Sequence, residues 1–315
     1  MILNYHPLNQ QRKKDSDLNM QYQLLGKSEL KASVIGFGCM SLKPGQPENS
    51  ALLHRAMELG INFFDTADLY DKGANEEMVG AALKAERKNI LLASKVGNQW
   101  RADGSGWDWN ARKDHILSSI DKSLQRLQTD YIDLYQLHGG MITDNIDEAI
   151  EAFEYLKQQG KIRAYGISSI RPNVIREYIK RSSIDTVMMQ YSLLDRRPEE
   201  ECLGLLKKHG ITVLSRGALA QGLLINKPAK DYLGHSAAAV KKAAEKVHEL
   251  SGAVRSAAQT ALSFVLQQVP VAVAGIRTME QLEELAATVN KPRLTEKEMD
   301  ELKNAAPALI YQEHR

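Results

Sequence analysis

Four side chains have the types and spacing to move a proton onto a carbonyl oxygen: Asp65, Tyr70, Lys95 and His138. Asp65 directly follows the apolar run Ile61 to Phe64, and Tyr70 comes five residues later. Lys95 ends the run from Asn89, and His138 ends the run from Asp130. An acid just past a buried strand is costly unless it is paired. A tyrosine phenol, with a pKa of about 10, gives up little proton at neutral pH. A lysine ammonium beside it favours the phenolate and lowers that pKa. A carboxylate would hold such a lysine charged and in place, and a neutral histidine would donate a hydrogen bond to a carbonyl oxygen. The set suits protonation of that oxygen while a hydride reaches its carbon. Taken singly, each residue has a plainer reading. Tyr70 is one of 11 tyrosines, Lys95 a solvated strand-end lysine, and His138 the cap of the turn His138-Gly139-Gly140. Their shared place at strand ends selects the chemistry, because ligands bind at the carboxyl ends of parallel strands.

The elements that must position them alternate along the chain. A β-hairpin is expected over 21–33, turning at Gly26-Lys27, and a first barrel strand over 34–38. Helix 48–59 then precedes strand 61–64, helix 75–86 strand 90–95, and helix 113–127 strand 131–137. Helix 146–159, stopped by Gly160, precedes strand 162–167. Helix 171–181 carries Pro172 in its first turn, where a missing N–H costs nothing. Strand 186–190, helix 198–209 and strand 211–215 follow. A helical region over 236–268, interrupted near Ser251-Gly252, leads to strand 271–275 and helix 279–289. Eight strands each followed by a helix predict a single α/β domain, a (β/α)8 TIM barrel over 21–315. The hairpin forms its N-terminal cap. An extra C-terminal helix near 295–304 carries the capping box Thr295-Glu-Lys-Glu298. Residues 1–20 are polar and aperiodic, the composition of a mobile tail. Two connections are unusually long: 96–112, which holds Trp100, Trp107 and Trp109, and 216–235. Both follow strands, so both belong to the face that binds ligands, with the tryptophans as candidate substrate contacts.

Composition narrows the classes. Hydrophobic residues make up 43% and charged residues 25%, with a net charge of +2, which points to no nucleic acid or membrane partner. Two well-separated cysteines, Cys39 and Cys202, suggest a reducing compartment, and with no apolar leader or span the expected location is cytoplasmic. No His-Glu-x-x-His or similar metal spacing is present, so no metal site is expected. Gly36-Phe-Gly38-Cys39-Met40-Ser41 lacks the third glycine of a Rossmann fingerprint and reads as the first strand and its loop.

Phe64-Asp-Thr-Ala-Asp-Leu-Tyr70, with Asn75-Glu76 behind it, resembles the signature of the aldo-keto reductases. Ser94-Lys95, Asp130 to His138, Gly160 to Ser168 and Gln190-Tyr191 are similar to further motifs of that family, in its order, over roughly residues 21–290. The resemblance is to bacterial, NADPH-dependent members and to the potassium-channel-beta-like branch. It implies a barrel plugged by the hairpin, a body that begins near Met20, and NADPH/NADP as cofactor. It also implies a small-molecule carbonyl substrate. On it, Gly38 and Met40 lie near the cofactor, while Ser168, Ser169 and Gln190 face the nicotinamide carboxamide. Ser169 replaces the family's asparagine. Ser215 ends the seventh strand, and Arg216 and Gly217 follow it. Arg216 is expected over the nicotinamide ring or on the pyrophosphate, since a guanidinium is planar and stacks. Gly275, Arg277, Gln281 and Glu284 take the adenosine end, with Arg277 on a 2′-phosphate. Leu285 departs from the usual asparagine and removes one adenine contact.

Two other readings use the same residues. A cofactor-bound sensor or regulatory subunit with slow catalysis would keep every motif. An aldolase using Lys95 as a Schiff base is opposed by Asp65, which would keep that lysine protonated.

Overall fold

The computed structural model describes residues 19–315. The expected tail therefore lies outside the described residues, except for its end: Met20 is buried, so the body of the protein already includes it.

The first two strands, β1 (Tyr22–Leu24) and β2 (Lys31–Ser33), pair antiparallel as the expected hairpin. Eight parallel strands then close a barrel. They are β3 (Ile35–Gly38), β4 (Phe63–Asp65), β5 (Leu91–Val96), β8 (Ile132–Leu137), β9 (Ile162–Ser168), β10 (Thr186–Gln190), β11 (Thr212–Arg216) and β12 (Val271–Gly275). They neighbour one another in chain order, and β12 pairs with β3 to close the ring. The remaining two strands, β6 (Asn98–Trp100) and β7 (Trp107–Trp109), form a hairpin of their own within the connection after β5.

Two layers of core hold this together. Inside the barrel, Leu25, Leu30 and Ala32 of the first hairpin share one cluster with Phe63, Leu134 and Leu214, so the hairpin plugs the end away from the strand C-termini. Outside, helices pack their apolar stripes on the strands. Helix α1 (Glu48–Glu58) buries Leu52, Leu53 and Ala56, and α2 (Ala74–Leu83) buries Val79 and Leu83. Helix α3 (Lys113–Leu127) buries Ile116, Ile120, Ser123 and Leu127, a spacing of three to four residues that keeps one face inward. The helices α4 (Ile146–Gln158), α5 (Pro172–Arg181) and α6 (Cys202–Lys208) continue the ring. Pro172 does occupy the first turn of α5. The long helical region divides where Ser251-Gly252 interrupts it, into α7 (Ala237–Glu249) and α8 (Ala257–Leu266). After α9 (Met279–Ala286), α10 (Glu296–Ala305) starts with the capping box of Thr295 and Glu298. No helix among the described residues is long and apolar enough to cross a membrane.

Two features that the sequence reading did not specify bear on the site. The long connection 96–112 contains a β-hairpin. The chain at the end of α10 is fastened down: Arg196 Nη1 donates to the carbonyls of Lys303 and Ala306, at 3.1 and 2.9 Å. Further on, the guanidinium of Arg197 lies over the Tyr311 ring, and Asn173 N–H donates to the His314 carbonyl. The last residues thus lie against the segments that follow β9 and β10.

Candidate active site

The strand ends bring Asp65, Tyr70, Lys95 and His138 together. Lys95 Nζ donates to Asp65 Oδ2 at 2.7 Å, to the Thr66 carbonyl at 2.7 Å and to the Tyr70 hydroxyl at 3.2 Å. An ammonium has three N–H donors, and all three are used. The His138 ring stands edge-on to Tyr70 with centroids 5.7 Å apart, and its main-chain N–H donates to the Val96 carbonyl at the end of β5. Lys95 is 1% and Asp65 4% exposed. Directly after Tyr70, Asp71 (φ +49°) and Lys72 (φ +56°) are both left-handed. Each such residue costs roughly 1–2 kcal/mol, a strain held at the turn that carries Tyr70.

Burial sets the charges here. It pushes His138 down to about 3, with Lys95 and Arg216 pushing the same way, so the ring is neutral. Burial also pushes Tyr70 above its ordinary value. The pull of Lys95 and its hydrogen bond does not offset it. The lowered tyrosine pKa expected from the lysine alone is therefore not what the site has, because desolvation of the phenolate outweighs the cation. Burial alone would pull Lys95 down, but Asp65 and Tyr70 together raise it and keep it charged. Burial pushes the Asp65 carboxyl up against the opposing pull of Lys95. The 2.7 Å contact favours the ionised pair. Behind them Asp68, whose Oδ1 has no partner among the described residues, is pushed up to about 8 by burial and then by Glu76.

Tyr70 opens on a cavity of about 620 Å³ lined by Met40, Leu69, Asp71, Lys72, Trp100 and Trp107. Lys72 Nζ lies 5.0 Å from the Trp100 ring centroid. Two of the three expected tryptophans thus face this cavity. The third does not: Trp109 Nε1 donates to both oxygens of Asp144, at 2.9 and 3.1 Å. Its ring covers Gly97 and Gly139, where a Cβ would come within about 3.0 Å of it. Trp109 fastens the hairpin to the barrel and lines a second cavity with Asp144 and Met141.

The residues assigned to a cofactor ring the rest of the mouth. Gln190 ends β10, and its Oε1 accepts from Arg216 Nη1 at 3.0 Å. Ser215 Oγ is buried without a partner among the described residues. Ser168 is half-buried, while Ser169 is buried and its hydroxyl accepts from Arg171 N–H at 3.2 Å, so that group is engaged in its own turn. Gly217 has φ +76° and leaves the backbone open beside Gln190. Gly38 pairs with Gly275 across the closing seam, and Met40 is 66% exposed. At the start of α9, Thr278 caps Gln281 N–H, and Gln281 Oε1 accepts from Arg277 N–H. The Arg277 side chain is exposed, Glu284 half-buried, and Leu285 buried. Ser41, which the sequence did not single out, ties this end to β3: its Oγ accepts from Ile276 N–H at 3.0 Å and lies 2.6 Å from the Ile276 carbonyl. Tyr232 was also missed. Its hydroxyl accepts from Gln190 Nε2 at 3.1 Å, and nothing local in the sequence marks a contact 42 residues away.

The Aldo/keto reductase family matches residues 34–307. The chain is 48% identical over 307 residues to the uncharacterized oxidoreductase YqkF of Bacillus subtilis, across 94% of this chain and 100% of that one. Among solved structures it is similar to the holo form of aldo-keto reductase AKR11C1 from Bacillus halodurans, with a TM-score of 0.89 and 46% identity over 94% of this chain and 100% of that one. The apo form of the same enzyme gives a TM-score of 0.80 and 43% identity over the same shares. The chain belongs to the aldo/keto reductase family.

Proposed function

We propose that this protein reduces an aldehyde or ketone with NADPH, and that Tyr70 delivers the proton. The observation that carries this reading is the contact of the buried Lys95 ammonium with the Tyr70 hydroxyl at the wall of an open cavity. NADPH, when bound, supplies the hydride from its nicotinamide C4.

The residues present fit such a group. Ser215 Oγ is buried and unpartnered at the mouth, and Gln190 and Ser168 offer paired polar atoms for a carboxamide. Arg216 reaches Gln190 and is a planar cation for the nicotinamide ring or the pyrophosphate. The start of α9 is a helix N-terminus, whose dipole favours phosphate, and the exposed Arg277 is a cation for a 2′-phosphate. Tyr70, kept protonated by burial, holds the proton that the carbonyl oxygen needs. Lys95 stabilises the phenolate left behind, and Asp65 keeps Lys95 charged. Neutral His138 donates a hydrogen bond that orients the carbonyl. Trp100 and Trp107 give the cavity an aromatic wall, which suits an apolar or aromatic carbonyl compound. Free, buried Cys39 and Cys202 fit a reducing cytoplasm. The likeness to the potassium-channel beta branch rests on the sequence motifs alone. The matched relatives carry the names of oxidoreductases and reductases, which favours turnover over a sensor role.

The test is tryptophan fluorescence during titration with NADPH and NADH, followed by turnover of an aldehyde panel. Tight NADPH binding with turnover that disappears in Tyr70→Phe is the expected result. Tight binding with no turnover on any carbonyl would favour the sensor. Binding of neither cofactor would remove both.

A further inference from the structure

The amide of Gln190 is held at both ends, by the last residue of β11 and by the connection that follows it. Arg216 Nη1 donates to Oε1 at 3.0 Å, and Nε2 donates to the Tyr232 hydroxyl at 3.1 Å. The two ends of an amide are not equivalent, since the oxygen only accepts and the nitrogen only donates. A guanidinium has no acceptor, so a reversed Gln190 would set donor against donor at Arg216. Arg216 therefore decides which end is which, and the Tyr232 hydroxyl fixes the plane by taking one amide N–H. One lone pair on Oε1 and one N–H on Nε2 remain. That pair is complementary to a primary carboxamide, which has one acceptor and one donor group of its own.

Tyr232 is itself closely held. It is buried, and its main chain exchanges two 2.9 Å hydrogen bonds with His235 across a tight turn. Leu233 (φ +51°) and Gly234 (φ +93°) are left-handed within that turn, and a Cβ at Gly234 would lie 3.2 Å from Leu309 Cδ1. Leu309 belongs to the C-terminal segment that Arg196 anchors through the Lys303 and Ala306 carbonyls. The segment packs on the turn, the turn places the hydroxyl, and the hydroxyl sets the amide. From this chain of contacts we infer that Tyr232 is a positioning residue, which presets Gln190 to receive the carboxamide of the nicotinamide. The inference rests on the cofactor reading given above.

The test measures binding, not turnover. Tyr232→Phe, Gln190→Ala and the double variant are titrated by tryptophan fluorescence with NADP+ and with adenosine 2′,5′-bisphosphate, which has the adenosine end but no nicotinamide. Tyr232→Phe is expected to weaken NADP+ about fivefold, the factor for one neutral hydrogen bond of about 1 kcal/mol. Bisphosphate affinity should stay within about twofold, and the Tyr232→Phe effect should vanish in the Gln190→Ala background. A merely structural role would weaken both ligands and persist without Gln190. Unchanged NADP+ affinity, or an effect that survives removal of Gln190, overturns the inference. If Tyr232→Phe does not fold, Leu309→Ala gives the same reading: a loss confined to NADP+ supports it and equal affinity overturns it. A wild-type protein that binds no NADP+ would overturn the cofactor reading as well. Binding by wild type with an indifferent Tyr232→Phe would overturn this inference alone.

Discussion

Replacing Lys95 by methionine separates what the lysine does for the fold from what it does for the reaction. The ammonium stands 3.2 Å from the Tyr70 hydroxyl. A unit charge at that distance from a developing phenolate, at an effective dielectric constant of about 20, is worth about 5 kcal/mol. Lost from the transition state, that is a fall of about 10³- to 10⁴-fold in the rate of the chemical step. Lys95 also pairs with Asp65 at 2.7 Å, with both side chains buried. Removing one partner of a buried pair costs about 3–5 kcal/mol, because an uncompensated charge remains. Removing both leaves no buried charge, so Lys95→Met with Asp65→Asn should recover most of that stability. It should recover none of the rate. Urea unfolding gives the first quantity and single-turnover loss of NADPH absorbance the second. A Lys95→Met enzyme within about tenfold of wild type would refute the electrostatic reasoning. So would a double variant whose turnover returned together with its stability.

Four further perturbations test separate parts of the site. Arg277→Ala is expected to weaken NADPH roughly 10- to 100-fold, the range for a hydrogen bond to a charged group, and to leave NADH unchanged; equal losses for both would remove the 2′-phosphate contact. Trp109→Phe gives up the bonds to Asp144 and should lower unfolding stability by about 1–2 kcal/mol with little change in KM, whereas Trp107→Ala, at the cavity wall, should raise KM with little change in stability. Asp68 is pushed up to about 8 by burial, so the folded protein holds its proton more tightly than the unfolded chain does. Its contribution to stability is full below the unfolded value of about 3.9 and is lost as pH rises toward about 8. Asp68→Asn should flatten the unfolding midpoint over that window, and a variant with the wild-type slope would refute the assignment.

The barrel was legible because its signals are local. A strand of alternating or continuous apolar residues, a helix with an inward stripe every three to four positions, and a glycine stop each declare themselves within a dozen residues. The ends of β10, β12 and α3 fall where the sequence places them. The capping box at Thr295 is equally local. The tetrad was legible for a related reason: each member sits at or within a few residues of a strand's end, so closing the barrel brings them together. The connections were not legible. β6 and β7 are three residues each, too short to show a period, and their hairpin depends on Trp109 finding Asp144. The Gln190–Tyr232 bond spans 42 positions and depends on a turn packed against Leu309. The protonation of Tyr70 was misjudged from composition because the lysine is visible in the sequence and the desolvation is not. Only the folded site shows that burial outweighs the cation.

That same burial decides which direction of the reaction the site is prepared for. It pushes the Tyr70 phenol above its ordinary range and His138 down to about 3, so both side chains are neutral between about pH 5 and 9. Carbonyl reduction needs the phenol with its proton on, and over that window it is always on. The chemical step of reduction should then be independent of pH. Alcohol oxidation needs the phenolate as base, and below the phenol pKa its fraction rises about tenfold per pH unit. The oxidation rate should follow that slope, without a plateau, to beyond about pH 10. His138→Gln should lower both rates and keep both slopes, since a neutral amide donates as a neutral imidazole does. A step near pH 6.5 in the reduction profile of the wild type, absent in His138→Gln, would assign a titrating charge to His138. It would show that water solvates the ring, and the argument from burial would then fail for Tyr70 as well, since the two rings stand edge to face in the same pocket.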